Sequence, residues 1–245
     1  MKYKEYIPKQ YQEHIMCIWV MKSKSYLEVP VNNIILPDAC IDLVIDFNRK
    51  EIVFSAMSKA TTNMSLTGDI DFMGIRFRTG VFHNIYNINS VDVMDKRIPY
   101  QEIEKHISLS DIFSKKSEDE RKHFLLNYLS EITQASQVDM FIREINSLKN
   151  METIKYSHEL AKRLGYSDRQ MNRVFLKRCG FTIKTYLNIV RLHKALHLLI
   201  YSNNQQLISL VEESGFYDQS HFCKEIDRYI GVSPTKLIEN YRKMS

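Results

Sequence analysis

The feature that most restricts the fold of this chain is a pattern it contains twice. The segments "GYSDRQMNRVFLKRCGFT" (165–182) and "GFYDQSHFCKEIDRYIGVS" (215–233) share one layout, with one extra residue in the second turn. Ser167 corresponds to Asp218 as a helix cap, Met171 to Phe222, Arg173 to Lys224, Phe175 to Ile226 and Gly180 to Gly231. Each is preceded by a short amphipathic segment, "SHELAKRLG" or "LISLVEESG", that ends at the turn glycine. A short helix, a Gly-containing turn and a capped second helix form a helix-turn-helix unit. Two such units in tandem predict an all-α domain over the carboxyl third.

The second helix of such a unit packs its apolar face on the helix before it and offers its polar face to a major groove. In the first unit Met171, Val174 and Phe175 supply the packing. Arg169, Asn172 and Arg173 project, with Gln170 at the edge. In the second unit Phe222, Ile226 and Tyr229 recur at intervals of four and three, leaving Gln219, Ser220, His221 and Lys224 on the other face. Arg suits the paired acceptors of guanine and Asn or Gln suits adenine, so these eight polar residues are the expected readers of double-stranded DNA. Lys177, Lys184 and Lys236 are the expected phosphate contacts.

Between the units runs "TIKTYLNIVRLHKALHLLIYS", a helical stretch near 182–202 without Gly or Pro. Some twenty residues at ~1.5 Å each span about 30 Å. That is close to the ~34 Å between successive major-groove faces on one side of a duplex. A plain core helix is the alternative, and Leu187, Val190 and Leu196 would pack against both units in either case.

Charge is distributed unevenly. Residues 1–135 hold 17 Lys and Arg against 18 Asp and Glu, whereas residues 136–245 hold 17 against 11. Within the second part, residues 155–195 carry ten basic and two acidic residues, while residues 205–243 carry five and six. A concentrated positive segment attracts a polyanion, although a solvated basic face needs no partner.

The first hundred residues favour strands. "HIMCIWVM", "NNIILP", "CIDLVIDF", "EIVFSAM" and "DFMGIRFR" are short, rich in β-branched and aromatic residues, and bounded by Pro, Asn, Lys or Gly. Met73, Ile75 and Phe77 alternate with Gly74, Arg76 and Arg78, so each set faces one side. A mainly-β sandwich or barrel-like domain over 1–135 is expected, with helices at "YQEIEKHI" and "SEDERKHFLLNYLSEITQ" in its carboxyl part. The apolar stripe Phe124, Leu125, Tyr128, Leu129 and Ile132 on the second of these packs either on its own β domain or on a two-fold partner in a homodimer. A helix at "QVDMFIREINSL" and the polar stretch "NSLKNMETIKYS" make 136–155 a helix and linker, leaving 156–245 as the helical domain. The whole is an α+β chain.

No segment approaches the roughly 18 uninterrupted apolar residues of a membrane span, and the first residues lack the apolar core of a signal peptide. No membrane partner is expected, and the expected compartment is the cytosol. Cys17, Cys40, Cys179 and Cys223 are scattered, and His14, His83 and His106 lie far apart, so neither a metal site nor a cofactor is expected. Cys40, between Asp38 and Asp42, is the best nucleophile candidate but has no neighbouring base in sequence, so no catalytic residue is assigned. A small-molecule effector would find its pocket among inward strand residues such as Trp19, Phe47 and Phe77, with Arg76 or Asp42 as polar handles; core packing and surface pairing are the alternatives.

Residues 155–243 resemble the tandem helix-turn-helix domain of the AraC/XylS transcription factors. The resemblance is carried by "ELAKRLGYSDRQMNRVFLKRCGFTIKTYLNIVRLHKALHLL" and "GFYDQSHFCKEIDRYIGVSPTKL", with Arg191 on the connecting helix and the terminal G-x-S-P in the family's order. "LPDACIDLVIDF" and "GIRFRTGVFHNIYNINSVDVMDKRIPYQEI" are similar to the companion domain of one branch of that family. The resemblance implies a cytoplasmic bacterial regulator of transcription, more often an activator, that works with RNA polymerase and whose companion domain binds an effector, dimerises, or both. Where the family commonly has Phe-Lys-Lys after the second reading helix, this chain has Ile226, Asp227 and Arg228, preceded by Glu225. Carboxylates repel phosphates, so the first unit is expected to dominate affinity. Two alternatives remain at this point: a constitutive DNA-binding protein with a non-sensing interaction module, and an enzyme carried on a DNA-binding domain.

Overall fold

Eight strands alternate with turns over the first hundred residues because short β-branched and aromatic runs are cut by Pro, Asn and Gly. In the computed structural model these are β1 (Lys2–Tyr6), β2 (Ile15–Lys22), β3 (Leu27–Ile35), β4 (Ile41–Asp46), β5 (Glu51–Ser55), β6 (Thr62–Gly68), β7 (Asp71–Phe77) and β8 (Arg97–Pro99). The structure describes residues 1–103, 107–134, 136–148, 157–201, 214–216 and 218–231. Six strands form one antiparallel sheet in the order β1-β2-β7-β4-β5-β8, and β3 pairs with β6 as a separate two-stranded ribbon. All five expected strand segments are strands. The three not expected have physical reasons: β1 reads "KYKEY" and lies at an edge, β6 reads "TNMSLTG" with few apolar residues, and β8 has three residues.

The central strand β7 obeys its alternation. Met73, Ile75 and Phe77 are buried on the face that carries the helices, in register with Val20, Ile18 and Ile15 of β2 and with Ile45, Leu43 and Ile41 of β4. On the other face Trp19 lies across Gly74. A Cβ at Gly74 would stand 2.5 Å from the indole and from the Leu43 carbonyl. Gly74→Ala is therefore expected to cost about 1–3 kcal/mol, because two strands and a large ring must shift to admit one methyl group. Urea unfolding of the variant against the wild type measures this.

Described helices follow in chain order: α1 (Val81–Tyr86), α2 (Ser90–Val93), α3 (Tyr100–Ile103), α4 (Glu118–Gln134), α5 (Met140–Ser147), α6 (Ser157–Arg163), α7 (Asp168–Cys179), α8 (Ile183–Tyr201) and α9 (Gln219–Ile230). The expected helices at 100–107, 117–134 and 137–148 correspond to α3, α4 and α5; residues 104–106 of the first expected span lie outside the described residues. Most of the expected linker, 149–156, also lies outside them.

The apolar stripe of α4 is buried within its own chain. Leu125 and Leu129 are 0% exposed and Tyr128 2%. The Tyr128 and Tyr86 hydroxyls meet at 2.5 Å, and Phe124 and Ile132 pack partly buried on the same core. Of its two expected partners, the stripe here meets its own β domain. Each large side chain gains about 1.5–3 kcal/mol from burial, and the nearest apolar surface is the chain's own sheet. The buried core is continuous: it runs from the sheet and its aromatic cluster around Phe54, through Phe141, Ile142 and Ile145 of α5, into Phe175, Tyr186 and Phe222 of the carboxyl helices.

Candidate nucleic-acid interface

The first unit is built from α6, a turn and α7. Gly165 takes a left-handed φ of 73° in that turn, which glycine adopts without strain. Ser167 then caps α7: its Oγ accepts from the Gln170 N–H, and the Ser167 N–H donates to Gln170 Oε1 at 3.0 Å, closing a capping box. Beyond the cap, Met171 and Phe175 are buried and Val174 is half-buried, which matches the packing face read from the sequence. Phe175 meets Phe141 of α5 and Tyr186 of α8 with ring centroids 5.4 and 5.5 Å away. The inner face is thus fully occupied, and the outer face is free to meet a partner.

That outer face presents Arg169, Arg173 and Lys177, all exposed and one turn apart, with exposed Lys184 near the start of α8. Ser167, Arg169, Gln170 and Arg173 together line an open concavity. Two expected readers have other engagements. Gln170 Oε1 accepts from both the backbone and the hydroxyl of Ser167, and Asn172, half-buried, donates from Nδ2 to the Asp168 carbonyl at 3.1 Å. In the free chain the side chains left for base edges on α7 are the two arginines, with the Gln170 amide nitrogen beside them.

The second unit repeats the logic on α9. Asp218 caps it by accepting from the His221 N–H at 2.7 Å, and Phe222, Ile226 and Tyr229 are buried as their spacing requires. Gln219, Ser220 and Lys224 are exposed; the His221 ring is half-buried, 5.5 Å from that of Phe216. Glu225 does not face outward. Its side chain is 12% exposed, accepts from Asn188 Nδ2 of α8 at 3.0 Å and lies 3.6 Å from Arg228. Of the carboxylates expected to repel phosphate, the structure leaves Asp227 exposed and turns Glu225 into a contact within the domain. The segment "LISLVEESG", apart from its last two residues, and Lys236 lie outside the described residues.

The connector α8 has 19 residues, about 28 Å of helix. Tyr186, Leu187, Leu192 and Leu196 are buried along it and Val190 is half-buried. Asn188, 7% exposed, accepts from Arg191 at 3.2 Å while it donates to Glu225. A polar residue buried on a helix between two units implies a specific partner, a sequence signal that reasoning from apolar spacing passes over.

The amino-terminal residues expected to line a pocket do not converge. Phe77 is buried on the helix-covered face, 6.5 Å ring to ring from Phe54, whereas Trp19, Asp42 and Arg76 share the opposite face. There the three close on one another. Trp19 Nε1 donates to Asp42 at 3.1 Å, Arg76 binds Asp42 through Nε and Nη2, and Asp38 lies 3.5 Å from the same guanidinium. Burial raises the Asp42 carboxyl pKa against the pull of Arg76; for Arg76, burial acts to lower the pKa but the charges of Asp42 and Asp38 outweigh it. Phe47 stands apart, with the Arg121 guanidinium 3.5 Å over its ring and Phe113 against its edge. Alternation along β7 puts Phe77 and Arg76 on different faces, and the charges are held by each other, the arrangement of core packing and surface pairing.

Cys40 is 4% exposed, with its Sγ 3.5 Å from the Asp38 carbonyl. Among the described residues no three His, Cys, Asp or Glu are grouped to hold a metal ion, and no helix is long and apolar enough to cross a membrane.

A capped, groove-sized helix with a basic outer face, placed behind a β-rich partner, defines a helix-turn-helix protein. Residues 160–240 match the family described as "Helix-turn-helix domain", and residues 4–99 match "Domain of unknown function (DUF6597)". The HTH-type transcriptional activator RhaS of Escherichia fergusonii is 35% identical over 78 residues, covering 32% of this chain and 29% of that protein. The Msm operon regulatory protein of Streptococcus mutans is 27% identical over 122 residues, 47% of this chain and 41% of its own length. The chain spans well under half the length of these curated relatives. ToxT from Vibrio cholerae is 12% identical, with 97% of this chain and 98% of that chain covered, at a TM-score of 0.42, too slight a likeness to carry an argument. The carboxyl part thus carries a helix-turn-helix domain of the AraC type, and the amino-terminal part matches the DUF6597 domain.

Proposed function

We propose that this chain is a sequence-reading, DNA-binding regulator of transcription in the bacterial cytoplasm, and that α7 supplies most of its grip. The observation that carries this reading is the exposed line Arg169, Arg173 and Lys177 on a capped helix whose opposite face buries Met171, Phe175 and Cys179. Arg169 and Arg173 read base edges, Lys177 and Lys184 hold phosphates, and Gln219, Ser220, His221 and Lys224 of α9 form the weaker second reader, with Lys236 as a further phosphate contact. The 156–245 part acts on DNA and the 1–135 part governs it, with 136–155 between them. Activation through RNA polymerase belongs to the same proposal, by analogy with the relative named as an activator.

A second reading of the amino-terminal part has an observation in its favour. Its best polar handles, Asp42 and Arg76, already satisfy each other, which suits a domain that braces the reading helices better than one that waits for a ligand. No enzymatic step is proposed, since the Cys40 thiol is buried.

The test is a salt titration of the full chain on duplexes from upstream of its own and neighbouring genes, against scrambled duplex. Preference for one duplex on the order of a thousandfold or more is expected. Salt-sensitive binding with no preference would mean that the basic face holds phosphates without reading bases, and the proposal would fail.

A further inference from the structure

Arg178 and Tyr229 occupy the same position in the two units, each two residues before the glycine that ends its reading helix. The backbone carbonyls of both are capped by hydroxyls from the amino-terminal domain. Ser90 Oγ, at the start of α2, donates to the Arg178 carbonyl at 2.7 Å. The Thr61 hydroxyl donates to the Tyr229 carbonyl, which also accepts from the Thr61 N–H at 3.2 Å. Carbonyls in the last turn of a helix have no partner inside the helix, so an outside donor there fixes where the helix end sits. One short stretch serves both units: a Cβ at Gly180 would stand 3.3 Å from Met57 Sδ and from the Ser90 carbonyl, and Met57 is four residues before Thr61. Four Cα steps span at most about 14 Å. Two segments of the amino-terminal part, residues 57–61 and the start of α2, therefore lie at the ends of both reading helices.

Resting on the DNA-reading proposal above, we infer that Ser90, Met57 and Thr61 form a clamp that sets the separation and tilt of the two reading helices, so that the amino-terminal domain determines the half-site spacing this chain accepts. α8 alone does not set it. Phe175 against Tyr186 and Glu225 against Asn188 seat the two reading helices on α8, and the clamp adds a second anchor at the carboxyl end of each. Two half-sites are then read as one unit by a single chain. Inserting one base pair moves the second half-site by about 3.4 Å and rotates it by about 34°, a mismatch that a clamped pair cannot follow.

Two measurements on the full chain test this, comparing wild type with Ser90→Ala/Thr61→Val. In the first, spin labels at Lys177→Cys and Asp227→Cys, in a Cys223→Ser background, report the distance between the helices without DNA. A narrow distribution that broadens in the double variant is expected. A distribution that is broad from the start, or unchanged in the variant, overturns the clamp. In the second, a duplex selected by the wild type from a random pool is rebuilt with one or two base pairs added or removed between its halves. The wild type should lose at least about tenfold in affinity per change, and the variant should lose less than about threefold. Equal losses in both proteins also overturn the inference. If the double variant does not fold, Thr61→Val alone, which keeps the N–H bond and frees α9 in part, is read the same way. Should the labels behave as expected while no duplex is selected, the clamp stands and the DNA-reading proposal falls.

Discussion

Arg173→Ala is expected to lose discrimination between the preferred duplex and its variants by about 1–3 kcal/mol, roughly five- to 150-fold, while binding to scrambled duplex changes little. Arg173 is exposed at the middle of α7, about one turn beyond Gln170 of the capping box, and lines the same concavity as Arg169. A guanidinium there has both the reach and the paired donors to bind a guanine edge. Lys177→Ala, one turn further along, should behave differently. It should weaken preferred and scrambled duplexes alike and reduce the salt slope by about one. Fluorescence anisotropy at several salt concentrations separates the two, and identical behaviour of the two variants would sink the division of labour along α7.

Phe175→Ala carries the largest expected cost to stability, about 3–5 kcal/mol. The ring is 0% exposed and joins three elements, touching Phe141 of α5 and Tyr186 of α8 from its own place on α7. The adjacent Arg178 ties the same corner through Asn84 at 2.5 Å and Asp139 at 2.8 Å. Because the core runs unbroken from the sheet to the carboxyl helices, the loss should lower one shared transition, seen alike by the single tryptophan in the sheet and by helical circular dichroism. Two separated transitions, with the tryptophan signal unmoved, would show that the helical domain is stabilised independently of the β domain.

What the sequence by itself determined lies in interactions between near neighbours. Ser167 and Asp218 as caps, Gly180 and Gly231 as helix ends, and the buried sets Met171–Phe175 and Phe222–Ile226–Tyr229 all follow from hydrogen bonds and spacings within one or two turns. Even the engagement of Gln170 was legible there, since Ser followed three residues later by Gln is a capping box on sight. The strands of the β domain were readable for the same reason, wherever apolar residues cluster or alternate; β1, β6 and β8 were not, because "KYKEY" and "TNMSLTG" hold few apolar residues and β8 has three residues. The tertiary structure alone decided which surfaces the side chains meet. It buried the α4 stripe inside the chain, separated Phe77 from Trp19, and turned Glu225 toward Asn188, 37 residues away. It also brought Ser90 and Thr61 to the ends of helices 88 and 168 residues distant. A periodic pattern states that a face must be covered or a charge paired; the partner is chosen by contacts between residues far apart in the chain, and burial makes those contacts strong enough to choose.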